Sequence, residues 1–240
     1  MLLVDQARTV LREVKLLKEM ASNQGKEMTG PLHIGLIPTV GPYLLPYIVP
    51  TLKETFPDLE VFLYEAQTHQ LLEQLETGRL DCAIVARVPE TEAFIEVPIF
   101  DEKMLLAVSD QHPWASESKI AMNTLKGQEM LMLDDGHCLR NQALDYCFTA
   151  GAKEDSHFQA TSLETLRNMV AANAGITFMP ELAVLNEGTR AGVKYIPCHS
   201  PEPSRTIALV YRPGSPLRNR YERVASAVSE QVKSILANKK

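Results

Sequence analysis

Two cysteines nine positions apart, Cys138 and Cys147, are the residues of this sequence best placed to do chemistry. Cys138 stands in the run Gly136-His137-Cys138-Leu139-Arg140. A cysteine reacts as its thiolate, and a thiolate is favoured at a helix N-terminus and beside positive charge. With a helix over 138–149, Cys138 meets the first free backbone N–H groups, flanked by His137 and Arg140. Asp134 and Asp135 oppose this unless Asp135 caps those N–H groups. A peroxide converts such a thiolate to sulfenic acid, with which a second thiol condenses, releasing water. Cys138 is thus the candidate reacting thiol, and Cys147 the candidate resolving one. The competing reading is that both are inert packed residues, as most helical cysteines are. Cys82, inside the apolar run Leu80-Asp81-Cys82-Ala83-Ile84-Val85, reads as a buried strand cysteine, and Cys198, next to Pro197, as a loop or strand-end residue.

The spacing has a consequence for shape. Nine helical residues rise about 13 Å over two and a half turns, placing the two sulfurs on opposite faces. A disulfide needs Cα atoms within about 7 Å, so joining Cys138 to Cys147 requires the helix between them to melt. Leu139, Ala143, Leu144 and Phe148 support helix when the thiols are reduced. The pair describes a conformational switch, not a structural staple.

The elements that position these residues follow an α/β pattern. Apolar runs predict strands at 32–37, 59–65, 80–86, 97–100, 103–109, 129–133, 157–160, 176–179 and 205–211. Helices are predicted at 42–56, 67–77, 121–126, 138–149, 162–174, 180–186 and 217–237, one of them opened by a capping box of Thr161 and Glu164. The alternation points to largely parallel sheet. It breaks near Asp101-Glu102 and again near Pro201-Glu202-Pro203-Ser204. These breaks predict a first lobe of 30–100 plus 205–240, and a second lobe of 101–204 that carries the cysteines. Ahead of them, Leu3, Ala7, Val10, Leu11, Val14, Leu17 and Met20 form a near-heptad stripe. It predicts a linker and dimerisation helix within 1–24.

Composition excludes several classes. The chain has 240 residues, 45% of them hydrophobic, and a formal net charge of −6. Such a balance gives nucleic acid no overall electrostatic reason to bind. No stretch approaches the roughly 20 apolar residues of a membrane span, and the N-terminus is too charged for a signal peptide, so a cytoplasmic location is expected. Four cysteines are too few for a disulfide scaffold, and none has zinc-site spacing; no metal and no cofactor are expected.

At larger scale the residues carry a family pattern. The run from Pro31 through Pro46, the segment Ser162-Leu163-Glu164-Thr165-Leu166 and the segment Gly175-Ile176-Thr177-Phe178-Met179-Pro180 resemble the effector domain of LysR-type transcriptional regulators. The segment Gly136 to Arg140, taken with Cys147, is similar to that of the peroxide-sensing members. The resemblance implies two Rossmann-like lobes of the type II periplasmic-binding-protein kind and a non-enzymatic activator of antioxidant genes. It also implies a homotetramer, hydrogen peroxide as the signal, a reversible Cys138–Cys147 disulfide, and thioredoxin or glutaredoxin as reductant. By the same likeness His137 and Arg140 assist Cys138, and Thr39, Thr68 and Arg205 line the peroxide pocket. Both threonines follow predicted parallel strands, at whose carboxyl ends ligands collect; the competing role for each is helix N-capping. In the family a winged helix-turn-helix precedes the linker helix, so promoter DNA is a partner only of a full-length protein. The peroxide-sensing members carry Asp where this chain has Asn141, which removes one negative charge near the thiol.

Two other functions fit parts of the pattern. A LysR-type effector domain answering a small organic ligand would leave the cysteines incidental. A thiol peroxidase needs a peroxidatic and a resolving cysteine, but gains nothing from refolding between them.

Overall fold

Short apolar strands separated by amphipathic helices give an α/β chain that divides into two compact units, one up to Phe100 together with Ile207 onward, the other Asp101–Thr206. The computed structural model describes Ala7, Val10, Val14, Leu17, residues 28–185 and residues 192–237. Ala7, Val10, Val14 and Leu17 are helical and exposed. The rest of the predicted linker helix lies outside the described residues.

The first unit opens with β1 (Gly30–Leu36), α1 (Gly41–Thr55), β2 (Leu59–Glu65), α2 (Thr68–Glu76) and β3 (Cys82–Ala86). Here β1 pairs in parallel with β2 and β3 on its two sides, and β3 pairs antiparallel with the end of β9 (Ser204–Tyr211). A parallel strand covered on both faces should be apolar throughout, and all five residues of β3 are buried. On β1, Leu32, Ile34 and Leu36 are fully buried. Between them, Gly35 lets α2 close onto the sheet: a Cβ there would lie 2.6 Å from Leu71 Cδ2 and 2.7 Å from Leu80 Cδ1. The long α6 (Arg218–Ala237) packs on α1. Its buried Arg220 donates to the carbonyls of Thr29 and Pro31 at 2.7 and 3.2 Å, where the chain enters β1.

In the second unit β4 (Ile95–Ser109), which begins in the first, pairs antiparallel with β7 (Thr177–Pro180) and β8 (Val193–Ile196). Beside them β5 (Glu129–Leu133), α3 (Cys138–Ala150) and β6 (Lys153–Ala160) form a βαβ unit with parallel strands. It is followed by α4 (Leu163–Ala171) and the short α5 (Glu181–Leu185).

Several expectations need correction. The two strands predicted at 97–100 and 103–109 are one strand, because the polar residues between them have partners far along the chain: Asp101 accepts from Thr206 Oγ1 at 2.6 Å, and Glu102 is paired with Arg205. Strand β8 was not predicted; its four residues alternate too briefly to register. Residues predicted as helix over 121–126 make only a 3-10 turn, Met122–Leu125. The cap of α4 is Ser162 rather than Thr161: Ser162 Oγ accepts the Thr165 N–H at 3.2 Å. Finally, Phe148 does not pack α3 down, being 66% exposed.

Candidate functional site

Local sequence dictates where α3 begins and ends. Gly136, at φ +92°, makes the turn after Asp134-Asp135 that an L side chain would resist, and His137 is the N-cap residue. At the other end Gly151 sits in the left-handed region, with Gly151 N–H bonded to Phe148 O and Ala152 N–H to Cys147 O. The buried stripe of the helix is Leu139, Ala143, Leu144 and Cys147. These face β5, β6 and the 3-10 turn.

Cys138 is the first helical residue and is half-buried. Beside it His137 is 8% exposed, and burial lowers its basicity while Asp134 pulls the other way. Burial therefore favours the neutral imidazole in the residue that precedes Cys138. Arg140 turns toward β6, where Nη2 donates to both oxygens of Glu154 at 2.7 and 2.9 Å. Its Nε lies 3.4 Å from Asp135 Oδ1. Asp135 is thus paired with Arg140, and the side chain of the N-cap residue His137 makes no capping hydrogen bond. The positive charge of the first turn is matched by a carboxylate that the sequence did not single out.

Cys147 sits two and a half turns further along the same continuous helix, fully buried. Its Sγ donates to Met130 Sδ on β5 at 3.0 Å. Burial pushes its thiol pKa up to about 12. All four cysteines are unbridged, and an intact α3 holds Cys138 and Cys147 about 13 Å apart along its axis. Cys82, the fully buried first residue of β3, has its pKa raised first by burial and then by Asp81. Cys198 is 2% exposed and bridges to Ile120; burial and Glu202 raise its pKa to about 11. It lines a recess of about 210 Å³ with Lys103, Lys119, Glu181 and Glu202, a recess that contains none of the predicted site residues.

Arg205 lies in the second unit and is buried. Its Nε and Nη2 donate to Glu102 Oε2 at 2.8 and 2.7 Å, while Glu102 Oε1 accepts the Leu182 N–H at 3.1 Å. Thr39 and Thr68 belong to the first unit, just beyond the carboxyl ends of β1 and β2, and both are buried. Neither is an N-cap: Val40 and Gln67 hold those positions. Among the described residues the Thr68 hydroxyl has no hydrogen-bond partner. A buried hydroxyl left unpaired is costly, so this one is suited to a small polar ligand.

The structure thus gathers Cys138, His137 and Arg140 at one helix start, with Cys147 on the far side of the same helix. Sequence reasoning missed Glu154, Met130 and Glu102. Each is the partner of a predicted residue, and each sits on another strand, so no local spacing reveals it. Among the described residues no group of three or more His, Cys, Asp or Glu is arranged to hold a metal ion, and no helix is long and apolar enough to cross a membrane.

Residues 25–233 match the family described as LysR substrate binding domain. The chain is 93% identical over 236 residues to a "Hydrogen peroxide-inducible genes activator" of Haemophilus influenzae, covering 98% of this chain and 78% of that one. Among solved structures it is similar to the oxidized form of OxyR, with a TM-score of 0.80 and 64% identity over 86% of this chain and 98% of the other. Likeness to the reduced form of OxyR is equal in shape, at a TM-score of 0.80, with 61% identity over 86% and 97% of the two chains.

Proposed function

The chain belongs to the family of LysR substrate-binding domains, and from that premise we propose that it is the regulatory domain of a hydrogen-peroxide-responsive transcription activator whose switch is the Cys138–Cys147 pair. One observation carries the reading: both thiols are free and lie on opposite sides of a single intact helix, so that a bond between them cannot coexist with that helix. The similarity to proteins solved in both an oxidized and a reduced form supports a redox-linked change of shape.

In the first step the Cys138 sulfur attacks one oxygen of hydrogen peroxide. An S–O bond forms, the O–O bond breaks, and the departing hydroxide takes a proton to leave as water. His137 is suited to receive the thiol proton. Arg140 keeps the first turn of α3 docked on β6 through Glu154. For the peroxide-binding role of the two threonines, the best physical support is the buried Thr68 hydroxyl, which has no hydrogen-bond partner among the described residues. In the second step α3 opens, the Cys147 sulfur displaces the sulfenic oxygen, and a second water leaves. The two thiols have then given two electrons to the peroxide.

The switch resides in the second unit, as the lobe arrangement 101–204 proposes. The activator works as a homotetramer in the cytoplasm, reaches promoter DNA through a separate domain, and is reset by thioredoxin or glutaredoxin. Mass mapping after one equivalent of peroxide tests the reading. A Cys138–Cys147 peptide bridge is expected; a reduced Cys138, or a bridge to Cys82 or Cys198, would overturn it. Rapid catalytic turnover of peroxide with excess thioredoxin would point to a thiol peroxidase instead.

A further inference from the structure

For a thiol that has to reach another sulfur, Cys147 is held in an unusually definite way. Its side chain is fully buried, and its high pKa keeps it in the S–H form. That S–H points at the Met130 thioether, which has lone pairs and no proton, so the direction of the bond is fixed: thiol to thioether, at 3.0 Å. Met130 itself is fully buried on β5, a strand that is tied to neighbours besides α3. Met130 bridges Ile176, and the neighbouring Leu131 N–H donates to Ile176 O at 2.8 Å. Met130 is thus held by these backbone contacts as well as by its packing on α3.

We propose that Met130 is a positioning residue for the resolving step: its thioether retains the Cys147 thiol in the reduced fold, and release of that contact sets the lifetime of the sulfenic acid at Cys138. This inference rests on the cysteine-switch reading. The chemistry involves hydrogen peroxide as oxidant and no other reactant. Once Cys138 carries the S–O bond, Cys147 leaves Met130, its sulfur attacks the Cys138 sulfur, the S–O bond breaks, and the Cys147 proton departs with the hydroxide as water. Met130 is neither oxidised nor reduced. It acts only on the fraction of time for which Cys147 is available, and therefore on the second step alone.

Met130→Leu keeps an apolar side chain of similar volume and removes the acceptor sulfur. Reduced wild-type and variant chains are mixed with hydrogen peroxide, quenched at intervals into dimedone, and the Cys138 adduct and the disulfide are quantified by mass spectrometry. The expected result is an unchanged rate of sulfenic acid formation and a sulfenic acid lifetime shortened about twofold, the ratio expected for loss of one hydrogen bond at the weak end of the neutral range, since thiol and thioether are a weak donor and a weak acceptor. Met132→Leu, on the same strand, is expected to leave both steps unchanged. An unaltered lifetime in Met130→Leu, an equal shortening in Met132→Leu, or parallel acceleration of both steps would overturn the proposal. If Met130→Leu does not retain the circular dichroism of the wild type, Met130→Ile replaces it under the same criteria. A wild-type chain that forms no Cys138–Cys147 disulfide would defeat the cysteine-switch reading, and this inference with it, and is told apart by that absence.

Discussion

Replacing Glu154 by glutamine tests whether the first turn of α3 is latched. Arg140 Nη2 binds both Glu154 oxygens at 2.7 and 2.9 Å, and the two side chains are 14% and 23% exposed. Asp135, 3.4 Å from Nε and 83% exposed, is a solvent-screened and weaker partner. Hydrogen bonds to charged groups contribute about 1.5–3 kcal/mol. Discounted for the remaining solvent exposure, the loss is about 1.4 kcal/mol. That destabilises the helical, reduced form alone if the disulfide form has lost this first turn, as the proposed switch requires. The opening equilibrium then rises about tenfold, and for a two-electron couple the reduction potential becomes about 30 mV more negative. Equilibration in dithiothreitol or glutathione redox buffers, followed by alkylation and mass spectrometry, measures the shift. A potential unchanged or more positive, in a variant that keeps its wild-type circular dichroism, would refute the latch.

Three further outcomes are expected. Thr68→Val removes a hydroxyl that has no hydrogen-bond partner among the described residues, so thermal stability holds or rises slightly, while Cys138 oxidation by peroxide slows about fivefold if that hydroxyl binds the oxidant; stopped-flow oxidation beside a melting curve separates the two effects. Glu102→Gln removes the carboxylate charge that the buried Arg205 binds through Nε and Nη2 and costs about 3 kcal/mol in denaturant unfolding, more than the double change Glu102→Leu with Arg205→Met, which removes both charges. The Cys147 thiol, raised from an ordinary value of 9.0 to about 12, binds more protons folded than unfolded between those values. Its contribution to stability is therefore fully present below about pH 9 and is lost as pH rises toward 12. Urea unfolding of wild type against Cys147→Ala should show the difference narrowing across that window.

How far the sequence alone leads depends on whether a residue's partner is near in the chain. The bounds of α3 were legible because Gly136, His137 and Gly151 are local signals, and the opposed placement of Cys138 and Cys147 follows from helical period alone. The parallel pairing of β1 with β2 and β3 was legible from apolar runs separated by helix-length segments. Long-range polar pairing was not. Asp101-Glu102 resembles a strand break until Arg205 and Thr206 are brought beside it, and Glu154 resembles one more charge in Lys153-Glu154-Asp155 until Arg140 reaches it. Met130 reads as one apolar residue in Glu129-Met130-Leu131-Met132-Leu133, and only the fold turns its sulfur toward Cys147. Phe148 erred the other way: it is apolar, yet its position after Cys147 turns it out of the buried stripe.

The central claim is that the Cys138–Cys147 bond and helix α3 exclude each other. Hydrogen–deuterium exchange across residues 138–150, measured before and after one equivalent of peroxide on material with its cysteine linkage mapped, tests it most directly. The account predicts protected amides in the reduced protein and their loss in the fraction carrying the disulfide. A mapped Cys138–Cys147 disulfide with that protection retained would contradict it.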